Sequence, residues 1–178
     1  MKDLSARDAV DWENWTPEIR ATLLFARRGD EVLLIRKKRG LGAGKINGPG
    51  GKIDPGETPL EAAIRETREE VGITPHFPVE TGELFFQFCD GLSIHCVVFF
   101  AHSFSGELIE TDEAVPLWTR VDEIPYDEMW EDDRHWLPLG LAGRHFRARF
   151  LFDGEKMLTR EIEEIAARAG DEAALRYQ

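Results

Sequence analysis

The stretch from Gly51 to Ile73, GKIDPGETPLEAAIRETREEVGI, decides how this chain is read. Thr58 is a helix N-cap, Pro59 fits the first helical position, Glu61 completes a capping box, and Gly72 supplies the stop. The spacing predicts a helix beginning at Pro59 and ending just before Gly72. At about 100° per residue, Ala63, Ile64, Thr67 and Val71 fall within about 60° of Leu60, which predicts a core-facing stripe. Glu66, Glu69 and Glu70 occupy an arc about 100° wide on another side, at spacings that let three carboxylates converge on one point. Convergent acids can hold a cation. A solvated acidic face is the plainer alternative, since exposed like-charge pairs cost only a few tenths of a kcal/mol each.

The segment just before it has the opposite character. From Arg36 to Lys52 there are six bases, Arg36, Lys37, Lys38, Arg39, Lys45 and Lys52, with no acid and six glycines, at 40, 42, 44, 48, 50 and 51. Glycines let backbone groups approach an ion or a phosphate closely. Neither Gly44-Lys45 nor Gly51-Lys52 continues as a Walker loop, and no GxGxxG is present, which argues against mononucleotide-binding ATPase folds.

Outward from this core the chain reads as short strands and helices. Thr22–Ala26 and Glu31–Arg36 form an expected hairpin around Gly29-Asp30, and Gly82–Phe88 and Ser93–His102 a second one through Cys89-Asp90-Gly91. Further strands are expected at Val115–Val121, Phe146–Phe152 and near Met157, with a short helix from about Asp132 to Leu141. Residues 1–20 read as an arm whose Trp12 and Trp15 pack against the domain. Residues 21–178 read as one domain, with a terminal helix over 163–178. No internal repeat interrupts the chain, and the short connections suit one continuous α/β unit.

With 178 residues, 42% of them hydrophobic, the chain is long enough for a core of its own. No run approaches a membrane span. Only Cys89 and Cys96 occur, and no secretion signal is visible, so the cytoplasm is the expected compartment. The formal charge of −12 argues against a nucleic-acid polymer as partner. That charge is uneven: residues 122–133 carry seven acids and no base, opposite in sign to the loop before the helix. The five histidines show no metal-binding spacing, and Cys89 and Cys96, near the expected second hairpin, have no paired base in view that would make either a nucleophile.

Gly51, Glu57 and the run Arg65-Glu66-Thr67-Arg68-Glu69-Glu70-Val71-Gly72-Ile73 together resemble the Nudix box, G-x5-E-x7-R-E-U-x-E-E-x-G-U, where U is aliphatic. Eight of its nine features are present, and the departure, Thr67, stands in the predicted core stripe. The resemblance implies an α/β/α sandwich around a mixed β-sheet and a metal-dependent hydrolase of nucleoside diphosphate derivatives, using Mg2+ or Mn2+. It makes Glu66, Glu69, Glu70 and the Gly50 carbonyl metal ligands, and gives Glu57 and Arg65 orienting roles. Hard cations of this kind take oxygen ligands and substrate phosphates, and lower the pKa of a bound water.

Beyond the box, from about Thr22 to Glu163, the chain resembles the oxidised-purine nucleoside triphosphatases of the same family, the 8-oxo-dGTP diphosphatase type that sanitises nucleotide pools in support of DNA repair. Residues 37–48 resemble their loop, with Leu41 and Ile46 where aromatics stand. Residues 124–133 resemble their base-binding segment, with Glu131 in place of a proline. Thr111-Asp112-Glu113 resembles the loop supplying a further metal-linked acid, Glu113. The resemblance implies that Asn47, Asp132 and Asp133 bond the purine edge, Trp130 stacks on its face, and Thr22, Lys37 and Phe86 line the pocket. Read alone, Trp130 is more often a core aromatic and Asp132-Asp133 is usually an N-cap pair before a helix; taken together in this order, they favour the site reading. Two adjacent buried carboxyls resist ionising together, so one can donate a hydrogen bond while its neighbour accepts one. The expected partner is a small nucleotide. Other open readings are a Nudix enzyme for ADP-ribose, dinucleoside polyphosphates or capped RNA ends, and a catalytically silent nucleotide-binding module.

Overall fold

A computed structural model describes residues 9–168. Strand β1 (Ile19–Arg28) turns through Gly29 and Asp30 into β2 (Glu31–Lys37), with Gly29 at φ +59° in the turn. The glycine loop contributes two short strands, β3 (Ile46–Asn47) and β4 (Gly50–Lys52), before helix α1 (Pro59–Val71). Strands β5 (Thr74–His76), β6 (Val79–Phe88), β7 (Ser93–Ala101), β8 (Ser103–Ser105) and β9 (Ala114–Arg120) follow. A single 3-10 turn at Tyr126–Glu128, helix α2 (Asp133–Leu141), and strands β10 (His145–Asp153) and β11 (Lys156–Ile165) complete the order.

The main sheet runs β11-β10-β6-β7-β1-β2-β3, with β4 also on β1 and β9 also on β2. It is mixed: β1 with β7 and β6 with β10 are parallel, and the other pairs are antiparallel. Side chains alternate across a strand, and β1 shows the result. Leu24 and Ala26 face a cluster with Leu33, Ile35, Ala63, Val71 and Ile73, on the α1 side. Phe25 faces a cluster with Phe100, Trp136, Phe146 and Phe150, on the α2 side. The expected α/β/α sandwich is therefore present. A small separate β5-β8 sheet was not legible in the sequence.

Helix α1 carries the predicted cap: Glu61 N donates to Thr58 Oγ1 (3.2 Å), Thr58 N donates to Glu61 Oε2 (2.8 Å), and Gly72 stands at φ +84°. Its buried arc is Ala62, Ala63, Thr67, Glu70 and Val71. Leu60 departs from the predicted stripe and is 40% exposed, because the buried arc centres on the side of Ala63 and Glu70 and leaves Leu60 at its edge. Thr67 fills its place in the core by donating Oγ1 to the Ala63 carbonyl (2.8 Å).

The expected helix over 163–178 is corrected at its start. Glu163 and Ile165 pair with Arg147 and His145 in β11, so ladder bonds to β10 override the helix-forming composition. Residues 169–178, and residues 1–8 of the arm, lie outside the described residues. In the rest of the arm, Trp15 meets Phe85 edge-on (5.7 Å between centroids) and donates Nε1 to Gln87 Oε1 (2.8 Å), while Trp12 packs on Trp15.

Candidate active site

Strand β4 is threaded between β1 and α1, and only glycine fits there. A Cβ on Gly50 would lie 2.0 Å from the Thr22 carbonyl oxygen, and one on Gly51 would lie 2.4 Å from the Glu66 carboxyl carbon. This close passage puts Glu66 and Glu70 of α1 against the strand, where Gly50 N donates to Glu70 Oε2 (3.3 Å). Glu113, just before β9, completes the group: one carboxylate oxygen from each of Glu66, Glu70 and Glu113 lies within 4.8 Å of the others. The loop carrying Glu113 is tied to the helix through Thr111, whose Oγ1 donates to the Glu70 carbonyl (2.8 Å) and accepts from Glu113 N (3.2 Å).

Burial raises the pKa of Glu66, and it pushes Glu70 up to about 8, with the charges of Glu66 and Glu113 adding to the effect and the Gly50 N–H opposing it. Three oxygen donors converge, next to glycines that leave space, with more negative charge than the site holds comfortably. That donor set fits a hard divalent cation.

Glu57 and Arg65, the two residues expected to orient the site, are bonded to each other and to the cluster. Arg65 grips Glu57 with Nε (2.7 Å) and Nη2 (3.0 Å), donates Nη1 to Glu66 Oε1 (2.9 Å), and reaches the Lys52 carbonyl (3.1 Å). The paired hydrogen bonds from Arg65, reinforced by Asp54 N–H, hold Glu57 below the usual carboxylate range. Glu69 is placed apart from the cluster. It accepts from Arg65 Nη1 (3.2 Å) with its side chain 58% exposed, so Arg65 and solvent draw it to the rim.

From this cluster a pocket runs toward α2. Thr22, Lys37, Asn47, Gly50, Gly51, Glu70, Phe86, Trp130, Asp132 and Asp133 all line it. All seven residues expected to contact substrate thus face one cavity. Asp132 and Asp133 are 2% and 3% exposed, and Asp132 makes no side-chain cap bond to α2, so the capping alternative does not describe them. Asp132 Oδ2 accepts from Trp136 Nε1 (2.8 Å), whereas Asp133 Oδ2 and Thr22 Oγ1 are buried without a hydrogen-bond partner. An unpaired buried polar atom costs about 1–3 kcal/mol, which makes these two atoms addresses for a ligand's polar edge.

Burial raises Asp132 to about 6, against the opposing Trp136 hydrogen bond. Burial, then the neighbouring Asp132 charge, raises Asp133 further. Burial and the mutual repulsion of the two carboxylates therefore favour a proton held by the pair.

Trp130 is both wall and packed aromatic. Phe88 and Phe152 meet it edge-on, Lys45 Nζ lies 5.3 Å from its ring centroid, and a Cβ on Gly42 would come within 2.7 Å of its Nε1. Gly42 also stands at φ +77°, so the loop holds the indole by being glycine there.

Leu41, Leu84, Phe88, Ile94, Cys96, Trp136 and Phe152 also line the pocket. Several had a signal: Leu84 and Phe88 flank Phe86 on the same strand face, and Trp136 stands one helical turn from Asp132. Cys96 had none; burial, followed by the charges of Asp132 and Asp133, raises its pKa, so it is an inert wall residue. The histidines outside the pocket have structural partners, His95 with Glu83 (2.8 Å) and His76 with Ser105 (2.9 Å). Among the described residues, no helix is long and apolar enough to cross a membrane.

Residues 17–140 match the NUDIX domain family. The oxidized purine nucleoside triphosphate hydrolase of Danio rerio is 40% identical over 149 residues, covering 81% of this chain and 96% of the relative. Its namesake from Mus musculus is 36% identical over 148 residues, covering 81% and 94%. Among solved structures, the MutT mutator protein of Bacillus halodurans superposes with a TM-score of 0.74 at 28% identity, covering 82% of this chain and 97% of that one.

Proposed function

The chain belongs to the Nudix hydrolase family, and on that premise we propose that it hydrolyses oxidised purine nucleoside triphosphates, such as 8-oxo-dGTP, to the monophosphate and pyrophosphate. Its role is then sanitation of the nucleotide pool, carried out in the cytoplasm by residues 21–178 acting as one domain behind the 1–20 arm. The observation that carries this reading is one pocket lined both by Glu70 of the carboxylate cluster and by the buried aspartate pair.

Nudix hydrolases act with divalent cations on small nucleotide substrates, and Mg2+ or Mn2+ is the ion proposed here. Glu66, Glu70 and Glu113 would hold it, with the Gly50 carbonyl and, from the rim, Glu69 as the further ligands proposed. When bound, such an ion offsets phosphate charge and lowers the pKa of a coordinated water. The protein's part is to keep that geometry fixed. Arg65 locks Glu66, and Glu57 locks Arg65. Lys37 adds positive charge where the phosphates enter.

Of the two buried aspartates, the one that keeps its proton donates to a base carbonyl, and its ionised neighbour accepts from a base N–H. Asn47 adds an amide at the purine edge and Trp130 a stacking face, worth roughly 1–3 kcal/mol with little selectivity of its own. Discrimination therefore comes from the polar groups.

The test is kcat/KM on 8-oxo-dGTP, dGTP and ADP-ribose with Mg2+ and pyrophosphate detection. We expect 8-oxo-dGTP to lead dGTP by at least about tenfold, and Asp132→Asn to reduce that ratio. ADP-ribose as the best substrate, or an unchanged ratio in the variant, overturns the assignment.

A further inference from the structure

The basic glycine loop touches the carboxylate cluster through one side chain. Arg39 Nη2 donates to Glu113 Oε1, and Glu113 is the cluster member nearest solvent, with its side chain 41% exposed. The two loops are also joined beside this contact. Lys38 N donates to the Glu113 carbonyl (2.9 Å), and Lys38 Nζ reaches the Thr111 carbonyl (2.7 Å) and Glu110 Oε1 (2.8 Å). Lys38 thus pins the backbone, and Arg39 hangs from a fixed point.

The cluster's two arginines differ sharply. Arg65 is held by Glu57, Glu66, Glu69 and the Lys52 carbonyl, and its side chain is 28% exposed. Arg39 is 65% exposed, and among the described residues Glu113 is its one hydrogen-bond partner. Arg65 is structural, whereas Arg39 has a weak, exposed ion pair that is readily exchanged. A guanidinium is planar and weakly hydrated, and its paired N–H groups match a phosphate's oxygens better than a lone ammonium does.

We propose that Arg39 stands in for the divalent cation at Glu113 in the unloaded protein and, once that carboxylate turns to a cation, moves its guanidinium onto the outer phosphates of the triphosphate. This rests on the metal and triphosphate reading above. No loop movement is required, because Lys38 keeps the backbone in place and only the Arg39 side chain changes partner. Arg39 thereby opposes cation uptake by the empty protein and favours the phosphates that arrive with the cation.

The experiment uses the full chain as wild type, Arg39→Ala and Arg39→Lys. Free Mn2+ is followed by electron paramagnetic resonance during titration without nucleotide. Arg39→Ala is expected to bind Mn2+ about threefold tighter, the size of a lost exposed ion pair, with Arg39→Lys within about twofold of wild type. With Mn2+ present, calorimetry then compares an α,β-imido dGTP analogue with dGMP. The analogue should weaken roughly tenfold in Arg39→Ala, and dGMP by less than about twofold.

Unchanged or weaker Mn2+ binding in Arg39→Ala overturns the inference, as does equal weakening of analogue and monophosphate. A wild-type chain that takes up no Mn2+ overturns the metal reading itself and the inference with it, an outcome distinguishable from the others before any variant is made.

Discussion

Two groups of acids, one reaching the pocket through Glu70 and the other lining it with both members, behave oppositely. Glu66, Glu70 and Glu113 are ringed by cationic side chains, with Arg65 on Glu66 and Arg39 on Glu113, and Glu113 opens to solvent. Asp132 and Asp133 are sealed from water, with the Trp136 indole as a donor. Both groups crowd negative charge, and burial raises proton affinity in both. The first can exchange proton and arginine for a metal ion. The second has no such exit, and in the function proposed above its retained proton serves to read a hydrogen-bond pattern. Surroundings, more than the acids themselves, decide whether a carboxylate cluster binds a cation or recognises a base.

The sharpest way to break this comparison is Glu70→Gln. Loss of a buried ligand should lower kcat at saturating Mg2+ on the order of 10^3-fold, and turnover within a few-fold of wild type would show that the cluster holds no catalytic ion. Glu69→Gln, at the rim, should cost less than Glu70→Gln in the same assay. Gly51→Ala tests the same end without altering a charge. Its Cβ would displace the Glu66 carboxylate, and a misplacement of that size should lower kcat roughly 10^2-fold, with thermal denaturation checking that the fold survives.

The aspartate end is sharpened by Asp133→Asn. In wild type the fold raises both carboxyls above their ordinary value of 3.8. Their contribution is therefore full below about pH 4 and is lost as pH rises through the folded value, about 6 for Asp132. Wild-type Tm should fall relative to Asp133→Asn between pH 4 and 8, by a few °C on the order-of-magnitude scale for a domain this size. Parallel Tm curves would remove the shared proton.

A third acid supplies the control. Glu83 is half-buried and hydrogen-bonded to His95 (2.8 Å) and Arg147 (3.3 Å), which together hold it down to about 2. Its contribution is present above the unfolded value of 4.5 and is lost as pH falls toward 2. Glu83→Gln should cost about 1–3 kcal/mol at pH 7 by urea unfolding and progressively less in acid. Its slope runs opposite to that of the aspartates.

The amino-acid sequence made the framework legible where signals are local. The Thr58 cap, the Gly72 stop, both hairpins and the alternation along β6 and β7 are short-range features, and all stand in the structure. It failed where a distant partner decides. Glu163 to Ile165 read as helix and became strand because β10 offers a ladder. Leu60 was the centre of the predicted stripe but lies at the edge of the buried arc, which is turned toward Ala63 and Glu70. Helix spacing brought Glu69 to the cluster, whereas its bond to Arg65 holds it at the rim. Glu113 was reached only through family resemblance, and its pairing with Arg39, 74 residues away, left no mark in either segment.

The tryptophans sort themselves by place. Of five, only Trp130 and Trp136 line the pocket; Trp12 and Trp15 pack together in the arm near Phe85, and Trp118 lies under the Arg28 guanidinium. Trp136 is also hydrogen-bonded to Asp132. The chain consequently carries its own optical reporter. Ligand entry alters two emitters and leaves three as constant background, so occupancy can be followed by intrinsic fluorescence, without a label, as the site fills.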